Sequence, residues 1–364
     1  MKRMKILFAA CFSFFILACA PVYTINHSLP EKPLNMSVDG AAHNWAQSEW
    51  WYYTGHLTTE DNREFGYELT FFKRITNEDK LPGLFIPVPA HWFKDVGMLG
   101  HFAVTDLQNK KFKATQINNF FTRSKADEKK YDVMINKWTA REEKGKHILS
   151  ADMKGYKIDL ELEALKPAVF HGDKGILKKS KEHANYYYSL TKMKTSGTVT
   201  VDGKSLKVTG ISWMDHEYGT MKLIYPQSGW DWFSVQLDND CELMIYLIRN
   251  DKDGIIDSGG ATFVSADGQS TWLTKDDINI KTLGYWYSRQ TDSNYPASWE
   301  INIKSLNLKL NVNPMLAQQE VNLEPMPYWE GSVMIDGTYN GLPVRGKGYV
   351  ELVGYSKKYP LKYM

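Results

Sequence analysis

Residues 197–203 read GTVTVDG and residues 331–337 read GSVMIDG, and each stretch is followed by a run with the same spacing of landmarks. In the first run those landmarks are Val208, Gly210, Trp213 and Asp215; in the second they are Val344, Gly346, Tyr349 and Glu351. Alternating apolar and polar residues around Asp-Gly signal a β-hairpin, and their recurrence implies one β unit present twice. A second match agrees. Trp50 and Trp51, a hairpin, then Tyr67-Glu68-Leu69 stand against Trp230 and Trp232, a hairpin, then Cys241-Glu242-Leu243. The units meet near residue 222, which predicts domains over 43–222 and 223–364.

The remaining chain follows the same rhythm. Short runs such as "EWWYYTGHL", "EFGYELTFFKR", "GHFAVTDL" and "WFSVQLDNDCELMIYLI" alternate with turn signals. Asp202-Gly203, Asp336-Gly337 and Asn340-Gly341 are the expected hairpin turns. No amphipathic helix of three turns and no Gly-rich phosphate loop appears. The fold class is therefore all-β, with two tandem antiparallel barrels, closed or nearly closed, their strands in up-and-down order.

The amino terminus sets the expected address. Lys2, Arg3 and Lys5 precede the apolar run "ILFAACFSFFILACA", too short to span a membrane and of the right length for a signal-peptide core. Ile16-Leu17-Ala18 before Cys19 reads as a bacterial lipobox, with a plain secretory signal as the alternative. Residues 1–18 are then the lipoprotein signal peptide, Cys19 the lipidated residue and 19–42 a linker. Ala20 after the cysteine favours the outer membrane, on its periplasmic face, with acyl chains anchoring the protein without spanning the bilayer. Losing three of the 44 Lys and Arg leaves 41 against 42 Asp and Glu, so charge gives no case for nucleic acid. Cys241 then has no disulfide partner, and the core must hold the fold.

The stretch "GISWMDHEYGT", residues 210–220, concentrates the chemistry. His216 and Glu217 have no polar counterpart in the second unit, where Leu352 and Val353 stand. On a strand, Asp215 and Glu217 face one side, His216 and Tyr218 the other. A polar strand end, with His216 bonded to a neighbouring strand, is the competing reading. His56, His101, His183 and His216 lack metal-ligand spacing such as H-E-x-x-H, so no metal or other cofactor is expected. Without G-x-S-x-G, Ser212 and Ser234 do not suggest a serine hydrolase.

Several motifs in order, "EWWYYTGHL", "GHFAVTD", "HGDKG", "YYYSLTKMKTSGTV", "SWMDHEYG", "GWDWFSVQLDN" and "YWEGSV", span nearly all of the mature chain. Together they resemble the family of AttH-like proteins and carotenoid 1,2-hydratase (hydroxyneurosporene synthase), which also resembles decalin-forming cyclases. The resemblance implies two lipocalin-like barrels and an apolar isoprenoid- or acyl-type ligand, with acid-assisted hydration or cyclisation of an alkene as the activity. Such chemistry needs a protonated acid, aromatic faces for a cation and a base for water. Asp215 or Glu217, raised in pKa among tryptophans, would be the acid. His216 would be the base and Tyr218 the cation-stabilising face. Trp51, Tyr53, His56, His101, Tyr187, Trp213, Trp232 and Tyr246 are the expected ligand lining. A non-catalytic lipid chaperone, serving an exporter as partner, is the alternative.

Overall fold

The computed structural model describes residues 23–81, 87–180, 183–220, 227–250, 256–324 and 326–358. Two curled antiparallel sheets make up nearly all of it. Among the described residues the first has thirteen strands and the second ten. In each, the last long strand returns to pair with the first: Lys204–Gly219 lies against Ser48–Thr59, and Leu342–Val353 against Gln227–Leu237. The ladder of each sheet is left open at one seam. In the first sheet the seam falls between Lys111–Asn118 and Ser124–Ala126, and in the second between Ser270–Thr274 and Asn279–Ser288. Both units are thus half-barrels of the same up-and-down plan, a two-domain lipocalin-like fold. The one α-helix among the described residues is short, Met36–Asp39, and no described helix is long and apolar enough to cross a membrane.

Alternation along the strands separates three layers of burial. Trp51, Tyr53 and Leu57 point into the first barrel, where they meet Tyr67, Leu69 and Phe71. Phe233, Val235, Leu243, Ile245 and Trp299 fill the second. The opposite faces of the same strands carry Tyr52, Tyr187, Trp213, Trp232, Tyr246 and Tyr349, which pack barrel against barrel. Adjacent aromatic pairs such as Trp51-Tyr52 therefore serve two layers at once.

The repeat is real, but its register differs from the sequence match. Asp202-Gly203 and Asn340-Gly341 are the hairpin turns, both residues of each pair at positive φ. Asp336-Gly337 is not a turn. Gly337 lies within a strand opposite Val344 and Leu310, as Gly197 lies opposite Val208 and Leu160. A Cβ on Gly197 would stand 2.2 Å from the Asp159 carbonyl oxygen, and one on Gly337 2.1 Å from that of Lys309. Gly337 is thus the counterpart of Gly197, and the first hairpin is longer by two residues per arm. The returning strands do match as read, since Gly210 and Gly346 press on the carbonyls of His56 and Gln236.

Residues 23–47 run over one end of the first barrel. Ile25, Leu34, Ala41, Ala42, His43 and Ala46 are buried there. Asn35 caps the short helix, its side chain accepting from the Ser37 N–H at 3.1 Å. Cys19 lies outside the described residues.

Candidate functional site

The strand Lys204–Gly219 separates two buried polar clusters. Asp215 and Glu217 face the second barrel, whereas His216 and Tyr218 face the interior of the first, as strand alternation requires. Backbone therefore stands between His216 and the two carboxylates.

On the inter-barrel face, Asp215 accepts hydrogen bonds from Tyr187 and Trp213, each at 2.5 Å, and from Ser189. Burial still raises its pKa to about 7, against the pull of these three donors. Tyr187 accepts in turn from Trp232 Nε1 of the second barrel at 2.9 Å. His171 donates to or accepts from Ser189 at 2.6 Å and Thr262 at 2.7 Å, which ties the same knot across the interface. Glu217 is held by Asn185 at 2.8 Å and by the Lys179 ammonium.

Further along this face lie three more carboxyls. Glu330 and Glu351 stand directly opposite one another on paired strands, and Glu68 comes from the first barrel. Two like charges in that position repel. Burial, reinforced by this repulsion, drives Glu330 well above the usual carboxylate range. Burial raises Glu351 to about 7 and Glu68 to about 8. Tyr52 donates to Glu330 Oε1 at 2.7 Å, Trp230 to Glu351 at 3.1 Å, and Thr70 to Glu68. The second oxygens of Glu68 and Glu330 are buried without a partner among the described residues. His56 donates to the Gly348 carbonyl at 3.0 Å, and His101 pairs with the Tyr328 hydroxyl at 2.8 Å. Both imidazoles are held neutral by burial. Tyr246 belongs to the same packed face, and the partly buried Trp50, Trp230 and Trp272 pack against it.

Inside the first barrel the geometry is different. Glu49 Oε1 accepts from His216 Nε2 at 2.8 Å and from His43 Nδ1 at 2.9 Å, and its Oε2 accepts from Lys73 at 2.9 Å. Burial alone would raise the Glu49 pKa; these donors instead hold it far below the carboxylate range. Tyr188 and His216 Nδ1 are 3.2 Å apart. Trp51 stacks on His216 with ring centroids 5.1 Å apart, and Tyr53 bonds His147 at 2.8 Å.

The expected site residues therefore divide. Asp215, Glu217, His56, His101, Tyr187, Trp213, Trp232 and Tyr246 share the inter-barrel face, whereas His216, Tyr218, Trp51 and Tyr53 line the first barrel. His183 joins neither cluster; it lies just before the strand Ala184–Val201. Sequence reasoning missed Glu330, Glu351 and Glu68 as a set, and Glu49, His43 and Lys73 as another. The available signal was an acid flanked by aromatics within a strand, as in "SEWWYY" and "YWEGSV".

Paired half-barrels that fuse along an aromatic face studded with carboxyls define a tandem lipocalin-like protein. Within that class the chain belongs to the AttH-like family, whose sequence profile matches residues 27–355. A Nitrosomonas europaea protein designated AttH has a crystal structure similar to this one, with a TM-score of 0.79 and 27% identity over 91% of this chain and 99% of that one. Kievitone hydratase from Nectria haematococca shares the fold at a TM-score of 0.72 and 16% identity, covering 92% and 96% of the two chains. CghA with Sch210972 does so at 0.55 and 11%, covering 93% and 96%. No curated protein gives a significant sequence match.

Proposed function

We propose that this protein binds an apolar isoprenoid- or acyl-type molecule along the inter-barrel face and adds water across, or cyclises, an alkene in it. The observation that carries the reading is the trio Glu68, Glu330 and Glu351, packed together among Tyr52, Trp213, Trp230 and Trp232, where burial raises the pKa of each carboxyl. Glu330 suits the acid better than Asp215, because Asp215 has three donors and Glu330 keeps an oxygen without a partner. In hydration the carboxylic proton passes to the alkene carbon, leaving a carbocation over the aromatic faces. Water adds to the cation and gives its proton to the carboxylate, which restores the acid. Kinship with a hydratase supports this reading. Trp50, Trp230 and Trp272 are only partly buried against this face, and a ligand would enter beside them.

Incubation with isoprenoid alkenes in ¹⁸O-labelled water tests it by mass spectrometry. Label in the product, lost in Glu330→Gln, is the expected result. A ligand that co-purifies unchanged and never takes up label would instead favour the lipid chaperone, working with an exporter. For the address, we propose acylation at Cys19. Metabolic labelling with a fatty acid should mark the wild type and spare Cys19→Ser; equal labelling of both removes the anchor.

A further inference from the structure

We propose that the first barrel carries a transition-metal site made of His43, Glu49 and His216. All three are buried, and their ligand atoms lie within 4.8 Å of one another. Tetrahedral ligands on bonds of about 2.0–2.1 Å stand roughly 3.4 Å apart. The present spacings of 2.8 and 2.9 Å around Glu49 Oε1 would each have to open by about half an ångström to admit an ion. It would replace the protons now shared between the carboxylate and the two rings.

The surrounding contacts are those that orient metal ligands. The second nitrogen of His43 faces Asp39 at 3.6 Å, and Asp39 is fixed by the Asn35 N–H at 2.6 Å. The second nitrogen of His216 faces Tyr188 at 3.2 Å. Glu49 Oε2 is held at 2.9 Å by both Lys73 and the His43 N–H, which leaves Oε1 for the ion. The Lys73 ammonium opposes a divalent cation, and the Asp39 carboxylate offsets it. Two imidazoles and one carboxylate suit zinc, cobalt or nickel rather than magnesium or calcium.

A second observation points to a further ligand. The Tyr218 hydroxyl and Trp51 Nε1 are fully buried and have no hydrogen-bond partner among the described residues. Tyr218 stacks on His43 at 3.7 Å and Trp51 on His216 at 5.1 Å. The two rings that flank the ligand imidazoles thus each carry a buried donor for which an oxygen ligand would be a suitable acceptor. Because His43 belongs to the segment over the barrel mouth, the ion would also tie that segment to the sheet.

Cobalt(II) titration of the chelator-treated protein reads this directly through visible absorption and thermal midpoint. One ion per chain, with intense tetrahedral bands and a raised midpoint, is the expected result. His216→Ala and His43→Gln should each bind more than about tenfold more weakly. His43→Gln lies outside the sheets, so it keeps the test sharp should a sheet variant fail to fold. Absence of binding by the wild type, or unchanged binding by His43→Gln, overturns the site.

Discussion

At the scale of single residues, the number of donors around a carboxyl separates holding from reacting. Asp215 and Glu217 each hold neighbouring strands together, Asp215 through Tyr187, Ser189 and Trp213 and Glu217 through Asn185 and Lys179. Asp215→Asn would put an amide donor against one of three donors that all need an acceptor. A buried donor left unsatisfied costs about 1–3 kcal/mol, so a loss on the order of 2 kcal/mol is expected in urea melts. Glu217→Gln keeps Oε1 as an acceptor for both Asn185 and Lys179 and gives up only the charge of the second pair, so a loss of about 1 kcal/mol is expected. Equal losses from the two substitutions would show that donor count does not govern the knot.

Among elements, the long hairpins set the geometry of both clusters, and close backbone contacts at glycine fix their register. A Cβ on Gly210 would sit 1.9 Å from the His56 carbonyl oxygen, which no side-chain movement relieves. Gly210→Ala should therefore cost on the order of 3 kcal/mol through displacement of the strand that carries Asp215 and His216. Gly203→Ala, at φ +86° with open space around it, should cost about 1–2 kcal/mol from backbone strain alone. Denaturant midpoints for the two variants check the order. These glycines also explain what the sequence made legible. Gly210 and Gly346 recur because one packing constraint acts on both returning strands, so the repeat, the all-β class and the two faces of residues 215–218 could all be read. The Asp336-Gly337 turn was misread because a strand glycine under a carbonyl and a turn glycine look alike in sequence. The clusters themselves were not legible in full. Glu330 meets Glu68 and Tyr52 only when two barrels pack together, and no local pattern encodes that contact.

Across the whole molecule, the interface makes stability a function of pH. Glu351 at about 7, Glu68 at about 8 and Glu330, also raised, all bind their protons more tightly in the native state than an unfolded glutamate of pKa about 4.3. Their contribution is whole below that unfolded value and is lost as pH rises through the native ones. Histidines at the same interface act in the opposite direction. His56 and His171 at about 3 and His101 at about 4 stay neutral when folded, against about 6.5 unfolded, so they cost stability as pH falls below 6.5. Between pH 4 and 6.5 the two sets offset each other. Above 6.5 these three histidines are neutral in both states, and the interface carboxyls decide the slope together with His43, whose pKa its Asp39 and Glu49 partners raise against burial. Urea stability should therefore fall from pH 6.5 to 8.5 by on the order of 3 kcal/mol. Glu330→Gln places a neutral amide where the native state wants a neutral acid. It should cost little at pH 6 and exceed the wild type at pH 8.5, with a shallower slope between them. A wild-type profile flat over that window, or a Glu330→Gln protein weaker at both ends, would show that the interface holds its carboxyls ionised.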